Sequence, residues 1–146
     1  MMGEAFVILL VEDEPAHAEI VRRNFENFRL ANRLIHVPDG QAALDYLYQQ
    51  GDYADPAASP RPGLILLDLR LPRVDGLEVL KAIKQDPCLA AIPVVVLTTS
   101  AAETDMAKAY EFHANSYLVK PVDFPQFLSL METCGYYWLA WNKYPY

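Results

Sequence analysis

Two stretches of the chain, FVILLV at residues 6–11 and LILL at 64–67, are apolar without a break, and each runs directly into acids. Glu12, Asp13 and Glu14 follow the first, and Asp68 follows the second. A strand apolar on consecutive residues is covered on both faces, the condition of a parallel strand packed between helices. An ionised carboxylate at the end of such a strand is costly unless it is paired or solvated at an edge. The chain therefore has to place acids at the rim of a buried sheet and find them partners.

The remaining pattern repeats this unit. RLIHV (33–37) reads as a second strand, PVVVLTT (93–99) as a fourth and SYLVK (116–120) as a short fifth. Between them lie helical periodicities. From Glu14, the residues Ala18, Val21, Phe25 and Phe28 step by three and four; Asp39 offers an N-cap to a helix with Ala43, Leu44 and Leu47. A third helix begins near Asp75, carries Leu77, Leu80 and Ile83, and stops near Asp86-Pro87. A fourth spans Ala101 to Ala114, and a fifth, capped by Asp123, runs towards Asn142. The Pro-, Gly- and Ala-rich segment QQGDYADPAASPRPG reads as a long loop, either a mobile excursion or a feature facing a partner. Strands and helices alternate, which specifies an α/β fold: a doubly wound parallel sheet with right-handed crossovers. With 146 residues and no internal repeat, one domain over 1–146 is expected.

Composition removes several functions. A net charge of −7 disfavours general binding to nucleic acid or anionic membranes. Cys88 and Cys134 are isolated and read as buried small hydrophobes; His17, His36 and His113 lack metal-ligand spacing. No stretch reaches the roughly 18 apolar residues that would cross a bilayer, and the first residues, MMGEAF, lack a basic leader. A cytoplasmic, reducing address is the expectation.

In open parallel sheets, functional groups collect at the carboxyl ends of the strands. Here those ends carry Glu12, Asp13 and Glu14, Asp68, Thr98 and Thr99, and Lys120-Pro121. Carboxylates converging from two strands repel one another unless a divalent cation joins them, and hard oxygen donors with room for water suit Mg²⁺. A hydroxyl and an ammonium opposite them are placed to hold an anion. Cation, lysine and hydroxyl around one carboxylate can stabilise a phosphoryl group arriving on it, giving an aspartyl phosphate.

The motifs LLVEDEP, LILLDLRLPRVDGLEVL, VVVLTTS and SYLVKP occur in that order. Asp68 and Thr98 are 30 residues apart, Thr98 and Tyr117 are 19 apart, and Lys120 lies three further on. The chain so resembles the receiver domain of the two-component response regulators over residues 5 to about 135. That resemblance implies a five-stranded, flavodoxin-like sheet of order 2-1-3-4-5 with five helices. It implies a phosphoacceptor at Asp68, served by a histidine kinase, and Mg²⁺ held by Asp13, by Glu12 directly or through water, by Asp68 and by the backbone carbonyl of Arg70. Thr98 and Lys120 would bond the phosphoryl oxygens, with the Lys120-Pro121 peptide cis and Thr98 and Tyr117 acting as the switch. Pro72 and Gly76 fit the family's loop after the acceptor, Gly76 for its permissive backbone. Thr99 and the long Arg70 depart from the commoner residues and are expected to alter how long the phosphate stays. The protein would be no enzyme beyond its own phosphorylation and dephosphorylation. It would have no output domain and would signal by docking.

Two other families share parts of this pattern. Phosphatases of the haloacid dehalogenase type need a second acid two residues past the nucleophile, where this chain has Arg70. A flavodoxin-like cofactor binder needs a phosphate-cradling loop after the first strand, where VEDEPA is acidic and lacks glycine.

The C-terminal segment, residues 136–146, holds six aromatics in eleven residues. Phe127, Met131, Cys134, Trp138 and Trp141 form a helical stripe that the core can bury, which leaves Tyr136, Tyr137, Leu139, Tyr144 and Tyr146 over. Aromatic surplus of this kind anchors protein–protein contacts, so an interface including Tyr136, Tyr137, Trp138 and Trp141 is expected. Its simplest form is a C2 homodimer through the fourth helix, fifth strand and fifth helix. The long loop, the DLRLPRVDGLEVLKAIK block and the tail together resemble the stand-alone response regulators of cyanobacterial and other bacterial phytochromes. That implies a light-regulated phytochrome kinase as partner. The alternative is a stand-alone receiver serving another kinase as phosphorelay intermediate or scaffold.

Overall fold

Alternate residues of the apolar strands part to opposite faces of one sheet. The structure is a computed structural model that describes residues 6–27 and 32–142, without the side chains of residues 140 and 141. The strands are β1 (Phe6–Val11), β2 (Asn32–Val37), β3 (Leu64–Leu67), β4 (Val94–Thr98) and β5 (Ser116–Val119). All pairs are parallel and the order is β2-β1-β3-β4-β5, as expected. The helices are α1 (Pro15–Glu26), α2 (Gly40–Leu47), α3 (Gly76–Gln85), α4 (Glu103–Glu111) and α5 (Phe124–Gly135). Ile8, Leu10, Leu64, Leu66, Val95 and Leu97 face α1 and α5, while Leu9, Val11, Ile65, Leu67, Val94 and Val96 face α2, α3 and α4. Each such side chain, taken wholly from water, contributes roughly 1.5–3 kcal/mol. Inside the α1–α5 layer, the buried Asn24 donates from Nδ2 to the Met131 carbonyl at 3.0 Å, so its amide has a partner there.

Helix ends follow local chemistry more closely than periodicity did. Asp39 caps α2 as expected, accepting from the Ala42 N–H at 2.7 Å. Asp123 occupies the N-cap of α5 but its side chain makes no capping bond. The fourth helix is shorter than the span 101–114: it starts at Glu103 and ends where His113 turns left-handed at φ 69°. α5 does not continue as an α-helix to Asn142. It passes at Tyr136–Trp141 into a π turn, in which the Asn142 N–H donates to the Tyr137 carbonyl five residues back at 2.7 Å. Phe127, Met131, Cys134 and Trp138 are buried as the stripe required, and burial pushes the Cys134 thiol up to about 12. Cys88, expected to be buried, is exposed: Pro87 ends the helix run and throws it onto a surface turn, its N–H on Asp86 at 2.8 Å. Phe28, Tyr144 and Tyr146, and the side chain of Trp141, lie outside the described residues.

The long segment before β3 is tied down. The Tyr46 hydroxyl donates to the Pro60 carbonyl at 2.6 Å, Gln49 to Ser59 at 3.1 Å and Arg61 to the Cys88 carbonyl at 3.0 Å. These bonds brace its residues 59–61 against α2 and the turn before β4.

The loop between β3 and α3, residues 68–75, closes against two glycines. A Cβ on Gly76 would stand 2.3 Å from the Asp68 carbonyl oxygen, and one on Gly40 would stand 1.9 Å from that of Val74. Gly76 is therefore required for close approach, whereas permissive dihedrals were expected to be its role. The left-handed turn in that loop falls instead on Arg73, at φ 69°, whose guanidinium is held by Asp39 at 3.3 Å. Substituting Gly76→Ala is expected to lower stability by about 1–3 kcal/mol through this overpacking, measured by urea unfolding.

Candidate functional site

Register brings the strand ends to one rim. Val11 pairs with Leu67, so Glu12 and Asp68 leave neighbouring strands at the same level. Backbone bonds extend the sheet by one residue there: Glu12 N–H to Val37, Asp68 N–H to Val11, and Lys120 N–H to Thr98, at 3.1, 3.1 and 2.7 Å. Glu12, Asp68, Thr98 and Lys120 are all buried, while Asp13 is exposed.

The Lys120 ammonium reaches the Asp68 carboxylate at 2.8 Å and bonds the Glu12 carboxylate as well. Lys120 is thus paired with Asp68 itself before any phosphoryl group is present. The Lys120–Pro121 peptide is trans, since no peptide bond among the described residues is cis. This corrects the expectation of a cis turn. The trans isomer is favoured by about 0.5–1 kcal/mol at X–Pro bonds, and the bond from the Lys120 N–H to Thr98 carries the lysine into the pocket without it.

Ligand oxygens of Glu12, Asp13 and Asp68 lie within 4.8 Å of one another. Three carboxylates face one ammonium, and the deficit of positive charge in an all-oxygen cluster fits a hard divalent cation. Burial dominates at Glu12 and raises its carboxyl from 4.5 to about 7, against the pull of Lys120. Its other oxygen accepts from the Glu14 N–H at 3.1 Å. A carboxyl raised in this way binds its proton more tightly folded than unfolded. The stability it confers is complete below pH 4.5 and is lost as pH rises through about 7 in the metal-free protein. A cation must displace that proton. Divalent-cation affinity measured by titration calorimetry should fall about tenfold between pH 8 and pH 6, and Glu12→Gln should lose that dependence.

Thr98 and Tyr117, the residues expected to act as a switch, are joined through Ser100. Thr98 Oγ1 accepts from the Ser100 N–H at 3.3 Å, and the Tyr117 hydroxyl donates to the Ser100 carbonyl at 3.0 Å. Arg70 does not lie loose over the pocket. Its N–H donates to Asp68 Oδ1 at 3.2 Å, and its guanidinium forms an ion pair with Asp105 in the first turn of α4. Asp105, itself buried, also accepts from the Ser100 hydroxyl at 2.6 Å. A chain of bonds therefore joins the acceptor loop to the β4–α4 loop and to Tyr117.

Sequence reading missed four participants. No spacing signal marks the pairing of Arg70 with Asp105, 35 residues on, or the part played by Ser100. His36 donates to the Glu12 carbonyl at 2.7 Å from the edge strand. His17 lies 3.1 Å from the Lys120 ammonium, and its place in the first turn of the helix after the acidic pair was the available clue.

Residues 8–132 match the response regulator receiver domain model, and the chain belongs to that family. It is 47% identical over 142 residues to the probable methanogenesis regulatory protein FilR2 of Methanothrix harundinacea, covering 97% of this chain and 89% of that one. It is also 47% identical over 133 residues to response regulator Rcp1 of Synechocystis, covering 91% and 88%. The crystal structure of Mn²⁺-bound Rcp1 superposes with a TM-score of 0.92 over 97% of this chain and 99% of that one, at 45% identity. That of the phosphorylated cyanobacterial phytochrome response regulator RcpA superposes at 0.93 over 98% and 100%, with 39% identity.

Proposed function

We propose that Asp68 accepts a phosphoryl group from a histidine kinase and that the chain signals by a change in its docking surface. The supporting observation is the buried Asp68 carboxylate, paired to Lys120 and facing Glu12 and Asp13 at the sheet rim. In the transfer, a carboxylate oxygen of Asp68 forms the new P–O bond as the P–N bond of the kinase phosphohistidine breaks. The imidazole keeps the electron pair. Lys120 then shares its charge with a phosphoryl oxygen, and Thr98 donates its hydroxyl to another. A divalent cation, Mg²⁺ on this reading, would neutralise charge at Glu12, Asp13, Asp68 and the Arg70 carbonyl. The product is the protein's own modified side chain, so no separate substrate turns over. Val122, exposed on the loop after Lys120, and Phe124, exposed at the first position of α5, offer apolar contacts to the incoming kinase.

Incubation with acetyl phosphate and Mg²⁺ should add one phosphoryl group to the intact mass, and Asp68→Asn should show none. An equal gain in that variant would defeat the assignment.

The kinase on this reading is a phytochrome, supported by the likeness to Rcp1 and RcpA over nearly the whole chain. FilR2, at the same identity as Rcp1, favours the second reading, a stand-alone receiver serving another kinase. Phosphotransfer rates from a purified phytochrome kinase against an unrelated one separate the two.

The α4–β5–α5 face supports a homodimer. Tyr110, Val119, Tyr136 and Tyr137 are exposed along it, beside a cleft of about 280 Å³ lined by Leu118, Leu130, Cys134, Tyr137 and Trp138. Light scattering should give a dimer for the full chain and a monomer once residues 136–146 are deleted. A dimer that survived the cut would remove the tail from the interface.

A further inference from the structure

The Lys120 ammonium has three N–H donors, and its side chain is only 1% exposed, which takes all three out of bulk water. Two point at Glu12 and Asp68. Among the described residues the third finds Nδ1 of His17, at 3.1 Å. An ammonium only donates, so the imidazole nitrogen must accept, which fixes His17 as the neutral tautomer with its proton on Nε2. The ring is held in that attitude by Phe127 of α5, with centroids 5.5 Å apart and planes inclined at 45°. Burial and the adjacent ammonium keep the imidazole below its ordinary 6.5, against the opposing charges of Glu14, Asp68 and Asp13, so the accepting form prevails at neutral pH.

We propose that His17 is a positioning residue for phosphoryl chemistry at Asp68: by accepting the third proton of Lys120, it aims the ammonium at the carboxylate that receives the phosphoryl group. The inference rests on Asp68 being the phosphoacceptor. Without the acceptor a buried donor is left unsatisfied, and the ammonium turns away to recover a partner. His17 does not touch the phosphoryl group and transfers no proton. It sets where Lys120 stands when the charge develops.

Two measurements test this. Long-range ¹H–¹⁵N NMR correlation on the unphosphorylated protein should show the His17 proton on Nε2; a proton on Nδ1 overturns the proposal. With acetyl phosphate and Mg²⁺, His17→Leu, which keeps the apolar contact with Phe127, should be phosphorylated about fivefold more slowly or worse. His17→Asn, which restores an oxygen acceptor near the Nδ1 position, should recover to within about twofold of wild type. Wild-type rates in the leucine variant, or equal slowing in both variants, would overturn it, the latter assigning the effect to packing. Failure of the wild type to gain a phosphoryl group would instead strike the reading of Asp68. The tautomer measurement needs no phosphorylation and decides the His17 contact in either case.

Discussion

One ammonium buried between two buried carboxylates governs the upper rim of this sheet. Glu12 and Asp68 leave adjacent strands side by side, and Lys120 is the cation that lets both be there. Breaking a buried pair of this kind costs about 3–5 kcal/mol, because the charge left behind has no solvent. The lysine in turn depends on β5 pairing with β4, since the bond from its N–H to Thr98 is the last rung of that ladder. Register, burial and charge therefore form one requirement. The same arrangement is electrostatically incomplete, with more carboxylate than cation around a rigid carboxylate, which is the state in which added positive charge and an arriving anion have the most effect.

Much of this was legible because it depends on pattern. Unbroken apolar runs at β1 and β3 dictated burial on both faces, and their alternation with helical periods dictated a parallel sheet, so the strand ends had to be the functional rim. Glu12, Asp13, Asp68, Thr98 and Lys120 were found by asking what stood there. The buried stripe Phe127, Met131, Cys134 and Trp138 was legible for the same reason: a 3.6-residue period carries it whatever the tertiary context.

What escaped depends on side-chain reach across elements. The link from Arg70 to Asp105 joins a loop to a helix 35 residues later, and no periodicity reports where a guanidinium will swing. His17 belonged to a set of three histidines without ligand spacing; its partner is an ammonium, for which no spacing rule exists. Cys88 broke the compositional rule that cysteines are buried because a proline beside it decided the chain path. At Gly76 the residue was right and the reason was not, since contact with a neighbouring carbonyl excludes a side chain there.

The braced segment before β3 gives the molecule an architectural division of labour. Tyr46 and Gln49 fasten it to the end of α2, and Arg61 fastens it to the turn before β4, at the opposite end of β3 from the Asp68 carboxylate. Support at that end comes from three side-chain donors on backbone carbonyls, two of them neutral and the third the Arg61 guanidinium. The short turn Gly51–Tyr53 is held to the same end of the molecule by Tyr53, whose ring meets Tyr46 edge-on at 5.5 Å, so the excursion and the acidic rim are supported by separate sets of contacts.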